Sequence, residues 1–228
     1  MTDERYTEKD GTFCDWLRAN ARSQWTAAVT HRFVRELYTG ELDKRVLRGY
    51  LVQDYQFVDR FVALLGAAVA TAPRFSSRVV LARQLGVVAG DENTYFRRAF
   101  DSLGVPQGER EAPWRNATTE AFNELMDSAR ASGEYAYCLT VLTVAEWLYL
   151  DWAQRAPQPL PEEFVCREWI VLHDNQEFRE WVGWLRGELD AVGPTLDEPA
   201  QSRCREMFVT ATQLELDFFD AAYTCPEH

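Results

Sequence analysis

The feature that most constrains the fold of this chain is an apolar spacing close to 3.6 residues. It is clearest between residues 43 and 72, where apolar side chains return every three or four positions. Such spacing places one continuous apolar stripe along a helix. No convincing alternation typical of strands competes with it elsewhere in the chain. The stripe consists of Leu47, Tyr50, Leu51, Phe57, Val58, Phe61, Leu64, Leu65 and Ala68.

Helix start and stop signals divide the rest of the chain. Thr12 and Asp15 have the spacing of a capping box and predict a helix through about Gln24. The segment HRFVRELY predicts a second helix that stops near Gly40. Further helices are predicted over residues 76–103, 117–131, 134–154, 175–191 and 199–223.

The segments between these helices are short. GEREAP, at residues 108–113, is predicted to be a loop, and the Pro-rich segment 156–163 is predicted to be a linker. Pro161 is placed to start the helix that follows this linker. We therefore expect an all-α fold of roughly eight to nine helices, a helical bundle that forms a single domain over residues 1–228.

Charge and composition exclude several kinds of partner. The 228 residues carry 24 basic and 36 acidic side chains, a net charge of −12, which argues against nucleic acid or an anionic membrane. No apolar run is long enough to span a bilayer, and the first residues lack the apolar region of a signal peptide. The five cysteines form no CxxC pair, so we expect a cytoplasmic protein with free thiols.

Three carboxylates fall on apolar helix faces. Asp54 lies three or four residues from apolar positions on both sides of its helix. Glu146 interrupts the apolar run CLTVLTVAEWLYLDW, and Glu215 shares a face with aromatic residues of the last helix. A single acid of this kind is more often a paired core residue. Three of them, each flanked by aromatics, favour a polar pocket inside a bundle, where burial suits an acid to proton transfer.

The histidines give little support to a metal or haem site. A di-iron bundle needs an acid three residues before a histidine, and no zinc spacing is present either. His31 could ligate a haem, but a structural role is the favoured interpretation. We therefore predict no metal and no cofactor. The histidines are His31, His173 and His228, and the residues three positions earlier are Ala28, Ile170 and Cys225.

Six segments resemble, in order, those of the TenA/thiaminase II family of thiamine salvage enzymes. Each resemblance is weak alone, and together they span nearly the whole chain. The segments are HRFVRELYTGEL, YLVQDYQFVDRF, ATTEAFNELM, AEWLYLDW, WIVLHDNQEF and TATQLELDFFDAAY.

The resemblance implies a fold and an activity. The fold would be the haem-oxygenase-like helical bundle, generally without haem. The activity would be hydrolysis of the group on the 5-methylene carbon of a 4-amino-2-methylpyrimidine, which releases the hydroxymethylpyrimidine. The leaving group would be an amine, a formylated amine or the thiazole of thiamine. The assembly would be a homo-oligomer, either a dimer or a tetramer.

The resemblance also implies roles for individual residues. Asp54 matches the family aspartate that binds the pyrimidine amino group, and Glu215 matches the acid that acts on a ring nitrogen. Phe122 occupies the position of a ring-stacking tyrosine, and Tyr149 matches a retained tyrosine.

Three further positions complete the predicted substrate-binding set. Phe57 and His173 stand where many members have tyrosine. Asn123, the neighbour of Phe122, is also assigned to substrate binding. Without the resemblance, core packing explains the aromatic residues Phe57, Phe122 and Tyr149 equally well.

The largest departure from the family pattern concerns the catalytic cysteine. Ala145 occupies its place, and Cys138 lies seven residues earlier, about 10.5 Å along a helix axis. The adjacent residue, Glu146, resembles the glutamate of a branch that lacks the cysteine. We therefore assign Glu146 and Glu215 as catalytic residues. The alternatives are a pyrimidine-binding protein without activity and a haem-oxygenase-like oxidase on the same fold.

Overall fold

The computed structural model describes residues 5–111 and 114–224, and these ranges contain α-helices and no β-strand. The expected all-α fold is confirmed. The described helices are α1 (Phe13–Asn20), α2 (Arg22–Val29), α3 (Arg32–Thr39), α4 (Lys44–Thr71), α5 (Phe75–Val87), α6 (Asn93–Ser102), α7 (Gln107–Glu111), α8 (Ala117–Ala131), α9 (Tyr135–Ala153), α10 (Phe164–His173), α11 (Gln176–Val192) and α12 (Glu198–Ala222).

Helix α9 forms the centre of the bundle. It is buried around its whole circumference, since 17 of its 19 residues are shielded from solvent. A helix that is apolar on all sides needs neighbours on all sides. These neighbours are α2, α4, α8, α10, α11 and α12. Glu146, on α9, is therefore held in the interior by its position on the central helix.

Helix ends follow the predicted signals. Thr12 accepts a hydrogen bond from the Asp15 amide, which caps α1 as the capping box predicted. Gly40 ends α3 with a φ of 72°, a left-handed conformation that glycine adopts without steric cost. Asp197 caps α12 through the Ala200 amide, and Pro199 lies in the first turn.

Two predicted helices are each divided in the structure. The helix expected from Thr12 to Gln24 ends at Asn20, and α2 begins at Arg22 after a break at the buried Ala21. The helix expected over 76–103 is interrupted by a π-helical turn at Val88–Glu92, which separates α5 from α6. Apolar periodicity continues across both breaks, so the pattern alone does not reveal them.

Two short predictions near loops are wrong. Residues of the predicted loop GEREAP form helix α7, which is fixed to α4 because Arg48 donates to both oxygens of Glu109 at 2.7 Å. Ala112 and Pro113 of that loop lie outside the described residues. Pro161 does not start a helix, because α10 begins at Phe164.

His31 has a structural role. Its Nδ1 accepts a hydrogen bond from the Phe33 amide at 3.1 Å, which caps α3. Its Nε2 lies 3.0 Å from Oδ1 of Asp220 on α12. Both ring nitrogens thus join α3 to the last helix, as the structural reading predicted. His228 and Cys225 lie outside the described residues.

Four cysteines within the described ranges are free and buried. They are Cys14, Cys138, Cys166 and Cys204. Among the helices of residues 5–111 and 114–224, none combines the length and the apolar character that crossing a membrane requires.

A close contact between α11 and α1 generates the first prediction. A Cβ on Gly193 would lie 2.1 Å from Cδ1 of the fully buried Phe13. We expect Gly193→Ala to lower the free energy of unfolding by about 1–3 kcal/mol, because the ring has no space to retreat into. Gly187→Ala is the control: Gly187 is exposed on α11 with no atom near its Cβ position. This variant should gain roughly 0.5–1 kcal/mol from helix propensity. Urea unfolding of both variants checks the prediction, and equal effects would contradict it.

Candidate active site

One cavity lies between the helices and encloses about 120 Å³. Cavities of about 150 Å³ hold a benzene molecule, so this one has the scale of a single six-membered ring. It opens between the end of α5 and the start of α11, where its lining residues are exposed. The lining consists of Asp54, Phe57, Val58, Phe61, Gln84, Val87, Phe122, Ala145, Glu146, Tyr149, Trp169, Leu172, His173, Asn175, Glu177, Phe178, Glu215 and Phe218.

The three acids that the sequence placed on inward faces line this one cavity. Asp54 comes from α4, Glu146 from α9 and Glu215 from α12. Their exposures are 6%, 8% and 3%, so each carboxyl group is held away from bulk water. The cavity lining contains no lysine or arginine. The cavity is therefore acidic, with no lysine or arginine in its wall to balance the acids.

Burial has a large effect on Glu215. Desolvation raises the pKa of its carboxyl group well above the usual range, and the nearby charges of Asp54 and Glu146 raise that pKa further. Its Oε1 atom is buried and has no hydrogen-bond partner. A protonated acid with an unsatisfied oxygen is suited to donate or share a proton with a bound ligand.

A tryptophan orients Glu146. The indole Nε1 of Trp181, on α11, donates a hydrogen bond of 2.8 Å to Oε1 of Glu146. Both side chains are buried, so this contact is shielded from water. Sequence reasoning did not identify Trp181, because its place on the apolar face of α11 resembles that of any core tryptophan.

Phenylalanine side chains from α4 and α8 form an apolar wall. The Phe57 ring lies 4.9 Å from Phe122, edge to face, and 5.7 Å from Phe61, stacked. The structure thus brings the predicted residues Phe57 and Phe122 together at the cavity. Phe61, which was predicted only as part of the α4 stripe, extends the same wall.

Tyr149 belongs to a hydrogen-bonded pair in the cavity wall. Its hydroxyl lies 2.5 Å from that of Tyr50, and both residues are buried. Burial raises the pKa of both tyrosines well above the usual range, so both hydroxyls keep their protons. One hydroxyl therefore donates to the other, and the pair fixes the Tyr149 ring in the cavity wall.

His173 is neutral in the folded protein. Burial lowers the pKa of its ring to about 4, although a bond between Nδ1 and the Trp169 carbonyl, at 2.8 Å, opposes this shift. That carbonyl can only accept, so Nδ1 carries the proton and Nε2 keeps its lone pair. His173 lines the cavity as predicted and offers an acceptor there rather than a charge.

No described cysteine lines the cavity. Ala145 does, at the position where the resemblance expects a catalytic thiol. Cys138 lies elsewhere: its Sγ contacts the Ala129 carbonyl at 3.6 Å, and burial raises the pKa of its thiol to about 11. Cys138 is therefore neither placed nor ionised to act on a ligand in the cavity.

Asn123 is not part of the cavity lining. It is 7% exposed on α8, and its Oδ1 is buried without a hydrogen-bond partner. Residues adjacent on a helix point about 100° apart, so Asn123 does not share the direction of Phe122. The structure therefore gives no support to the predicted substrate contact of Asn123.

Gln53 is a second residue that sequence reasoning missed. Its Nε2 donates to the Trp114 carbonyl at 2.6 Å, and its Oε1 accepts from the Asn116 amide and the Thr119 hydroxyl at 3.0 and 2.8 Å. These bonds join α4, next to Asp54, to the start of α8. Gln53 thus fixes α8, and with it Phe122, relative to the acidic side of the cavity.

No group of three or more His, Cys, Asp or Glu side chains with the arrangement of a metal site occurs in the part of the chain that the structure describes. Among the cavity acids, Glu146 is held by the hydrogen bond from Trp181, and Glu215 is held by packing.

Fold and cavity define the class of protein: an all-α bundle with an acidic, aromatic-walled cavity whose volume is on the scale of a six-membered ring. The chain belongs to the TENA/THI-4/PQQC family, whose model matches residues 18–225.

Relatives of known name cover nearly the whole chain. It is 25% identical to an aminopyrimidine aminohydrolase of Halalkalibacterium halodurans, over 93% of this chain and 96% of the relative. It is 24% identical to an aminopyrimidine aminohydrolase of Bacillus subtilis, over 92% of this chain and 89% of the relative.

Solved structures share the fold. A TenA family transcription regulator from Silicibacter sp. TM1040 superposes with a TM-score of 0.85 at 22% identity, over 96% of this chain and all of that one. A TenA homologue from P. horikoshii OT3 superposes with a TM-score of 0.83 at 21% identity, over 93% of this chain and 99% of that one.

The environment of Glu215 generates a prediction about stability. Above pH 4.5 the unfolded chain releases this proton while the folded protein retains it. The folded state then binds more protons, so this carboxyl lowers stability as the pH rises. We expect Glu215→Gln to raise the free energy of unfolding at pH 7 by up to about 3 kcal/mol, because each pH unit over which only the unfolded chain is ionised costs the wild type about 1.4 kcal/mol. Urea unfolding at a series of pH values above about 4.5 measures the gain, which should grow with pH until the folded protein also releases the proton.

Glu188→Gln is the matched control. Glu188 is equally buried, but its carboxylate accepts hydrogen bonds from Arg74, Ser77 and Tyr135. Neutralising this partnered carboxylate should lower stability, the opposite sign. A loss of stability in both variants would contradict the assignment of Glu215 as an unsatisfied acid.

Proposed function

We propose that this protein is an aminopyrimidine hydrolase of thiamine salvage. It converts a 4-amino-5-aminomethyl-2-methylpyrimidine, or its N-formyl derivative, to the 5-hydroxymethyl compound. The observation that carries the proposal is the convergence of Asp54, Glu146 and Glu215 around one ring-sized cavity. The relatives named aminopyrimidine aminohydrolase support the same reaction.

The ring would be bound by aromatic packing and one directed hydrogen bond. Phe122, supported edge to face by Phe57, offers its face to the flat heterocycle. Asp54 accepts a hydrogen bond from the exocyclic amino group, which sets the orientation of the ring. Tyr149 and His173 close the wall on the side of α9 and α10.

Glu215 would polarise the ring. Its raised pKa supports a protonated carboxyl near neutral pH, which donates a hydrogen bond to a ring nitrogen. This withdraws electron density from the ring and makes it a better acceptor of electrons when the substituent departs. The unsatisfied Oε1 provides a place for a further ligand contact.

Glu146 would accept or donate the proton that the substitution at the methylene carbon requires. The bond from the methylene carbon to nitrogen breaks, and a bond from that carbon to a water oxygen forms. With an amine that arrives protonated, ionised Glu146 takes the proton of the attacking water. With the neutral formyl amide, protonated Glu146 gives a proton to the departing nitrogen, and the carboxylate that results then takes the proton of the attacking water. Trp181 keeps Glu146 in one orientation for either role.

Thiamine is a poorer substrate in this scheme. In ordinary members of the family a thiol adds to the ring and helps to expel the thiazole. Ala145 supplies no such nucleophile, and the described cysteines lie away from the cavity. We therefore favour the aminomethyl and formylaminomethyl pyrimidines. The four free thiols are also typical of a reducing compartment, which supports the cytoplasm as the place of this reaction.

We propose further that the chain forms a homo-oligomer, a dimer or a tetramer. Phe75 is 78% exposed on α5, one turn from the exposed Val79, and Val62 is exposed on the neighbouring α4. Exposed apolar side chains one turn apart, such as Phe75 and Val79, are typical of an interface. Light scattering should give two or four times the monomer mass, and Phe75→Glu should lower the value. A wild-type monomer at micromolar concentration would contradict the proposal.

Glu146→Gln tests the reaction. The amide keeps the shape of the side chain and cannot carry the proton, so we expect kcat to fall by about 10²–10⁴ with little change in KM. Release of hydroxymethylpyrimidine from thiamine, the aminomethyl compound and its formyl derivative is followed by chromatography. Among these substrates, thiamine should give the lowest turnover with the wild type.

Two further variants control this experiment. Cys138→Ala removes a thiol that lies away from the cavity, and it should leave kcat unchanged. Trp181→Phe removes the N–H donor to Glu146 together with part of the buried ring, and it should give an intermediate kcat. Full activity of Glu146→Gln in a folded protein would overturn the role of Glu146. Loss of activity in Cys138→Ala would mean that the reaction depends on the Cys138 thiol.

A further inference from the structure

The mouth of the cavity has a different composition from its interior. The deep wall carries the buried acids, whereas the exposed part of the lining consists of Val87 at the end of α5 and Glu177 in the first turn of α11. Gln84 and Asn175 lie between these levels and are partly buried. A ligand that enters the cavity passes Glu177, and a group that leaves it passes Glu177 again.

Glu177 is the acid of the mouth that has no partner. Its side chain forms no ion pair and no hydrogen bond with the described residues. The nearby Arg179 is bound to Asp174 at 2.7 Å and is not available to it. The Glu177 carboxylate therefore presents its negative charge to whatever occupies the mouth.

Its polar neighbour Asn175 is committed to the local turn. Asn175 Oδ1 accepts from the Phe178 amide at 2.9 Å, and Nδ2 donates to the carbonyls of Val171 and Leu172 at 3.1 and 3.0 Å. The interior adds no positive charge, because the lining has no lysine or arginine and His173 is neutral. The charge at the mouth is thus negative and uncompensated.

The proposed reaction fixes which part of the substrate reaches this charge. The ring is held in the interior by Asp54, Phe122 and Glu215, all of them buried. The substituent on the methylene carbon has to depart into solvent, so it points from the interior towards the opening. An aliphatic amine is protonated near neutral pH, whereas its formyl amide is neutral. The two candidate substrates therefore differ in charge at the mouth.

We propose that Glu177 is a specificity-determining residue that selects substrates whose leaving group is positively charged. The carboxylate attracts an ammonium group at the mouth, is indifferent to a neutral amide and repels an anionic substituent such as a phosphate. This inference rests on the proposed function, because the reaction defines which end of the molecule faces the opening. The mouth of the cavity, and not the buried acids alone, then selects substrates by the charge of the leaving group.

A structural role for Glu177 has a different signature. An acid in the first turn of a helix interacts favourably with the helix dipole, so Glu177 also contributes to the stability of α11. Loss of that contribution would lower stability and affect all substrates alike. Selection by charge would instead change the ratio between a charged and a neutral substrate.

The experiment compares Glu177→Gln with the wild type on the aminomethyl pyrimidine and on its N-formyl derivative. We expect KM for the aminomethyl compound to rise about three- to fivefold, the scale of an exposed charge pair, with kcat unchanged. KM for the formyl compound should not change. The difference should disappear in roughly 1 M salt, where the screening length is about 3 Å. Calorimetric binding of both compounds gives the same ratio without turnover.

Glu180→Gln is the matched control. Glu180 lies on the same helix, is exposed and accepts a hydrogen bond from Gln176, and it is not part of the cavity lining. Glu180 carries the same charge a few residues away. Glu180→Gln should therefore leave the ratio of the two KM values, for the aminomethyl and the formyl compound, unchanged. An equal shift in Glu180→Gln would mean that net charge, not Glu177, selects the substrate.

The possible failures are distinguishable. Turnover or binding of both compounds with an unchanged ratio in Glu177→Gln overturns this inference and leaves the proposed function intact. A protein that neither binds nor converts either compound overturns the proposed function and this inference together. A lower melting temperature with equal losses for both substrates assigns Glu177 to helix stability alone.

Discussion

The burial of three carboxyl groups in an apolar bundle is the constraint on which the rest of the structure depends. Each is costly to ionise away from water, and the cavity wall contains no lysine or arginine to balance them. The fold responds differently at each site: Glu146 receives an indole N–H, whereas Glu215 retains a proton and an unsatisfied oxygen. Glu146 and Glu215 are therefore suited to different chemical roles. Glu146 is oriented by a hydrogen-bond donor, and Glu215, with its raised pKa, is suited to act as a donor. Glu188, which is buried to the same degree as Glu215, accepts hydrogen bonds from Arg74, Ser77 and Tyr135, whereas Oε1 of Glu215 has no such partner.

The architecture around α9 explains how this cost is tolerated. A central helix with 17 of its 19 residues buried contributes extensive apolar contact, and Glu146 is its only ionisable carboxyl within that buried set. The surrounding helices each bring one element of the site to the same level: Asp54 from α4, Phe122 from α8 and Glu215 from α12. Gln53 then joins α4 to the start of α8 through three hydrogen bonds. The wall that would stack on a ring and the acid that would orient it are thereby held at a fixed separation.

The sequence predicted the elements that depend on local pattern. The long helix α4, the caps at Thr12 and Gly40, and the inward faces of the three acids all follow from periodicity and short-range signals. Features that depend on partners distant in the chain were not predictable in this way. Helix α7 is held by the pair of Arg48 and Glu109, 61 residues apart, and Trp181 reaches Glu146 from 35 residues away. Asn123 differs from the other predicted site residues because it is absent from the cavity lining: a motif match names a segment, whereas the angle between neighbouring helical residues decides which side chain faces the cavity.

The cavity differs from the TenA/thiaminase II pattern at several positions, and each difference removes a thiol or a hydroxyl group. By the resemblance, Ala145 stands where a catalytic thiol is expected, and Phe57, Phe122 and His173 stand where tyrosine is expected. The aromatic faces remain, so a flat ring is still accommodated, but the neutral polar groups that would share its chemistry are fewer. Burial in this apolar wall, together with the charges of Asp54 and Glu146, raises the pKa of Glu215. In the proposed reaction no thiol of a described residue is available in the cavity, so the carboxyl groups transfer the protons. Such a reaction favours leaving groups that depart with a proton over those that need covalent assistance.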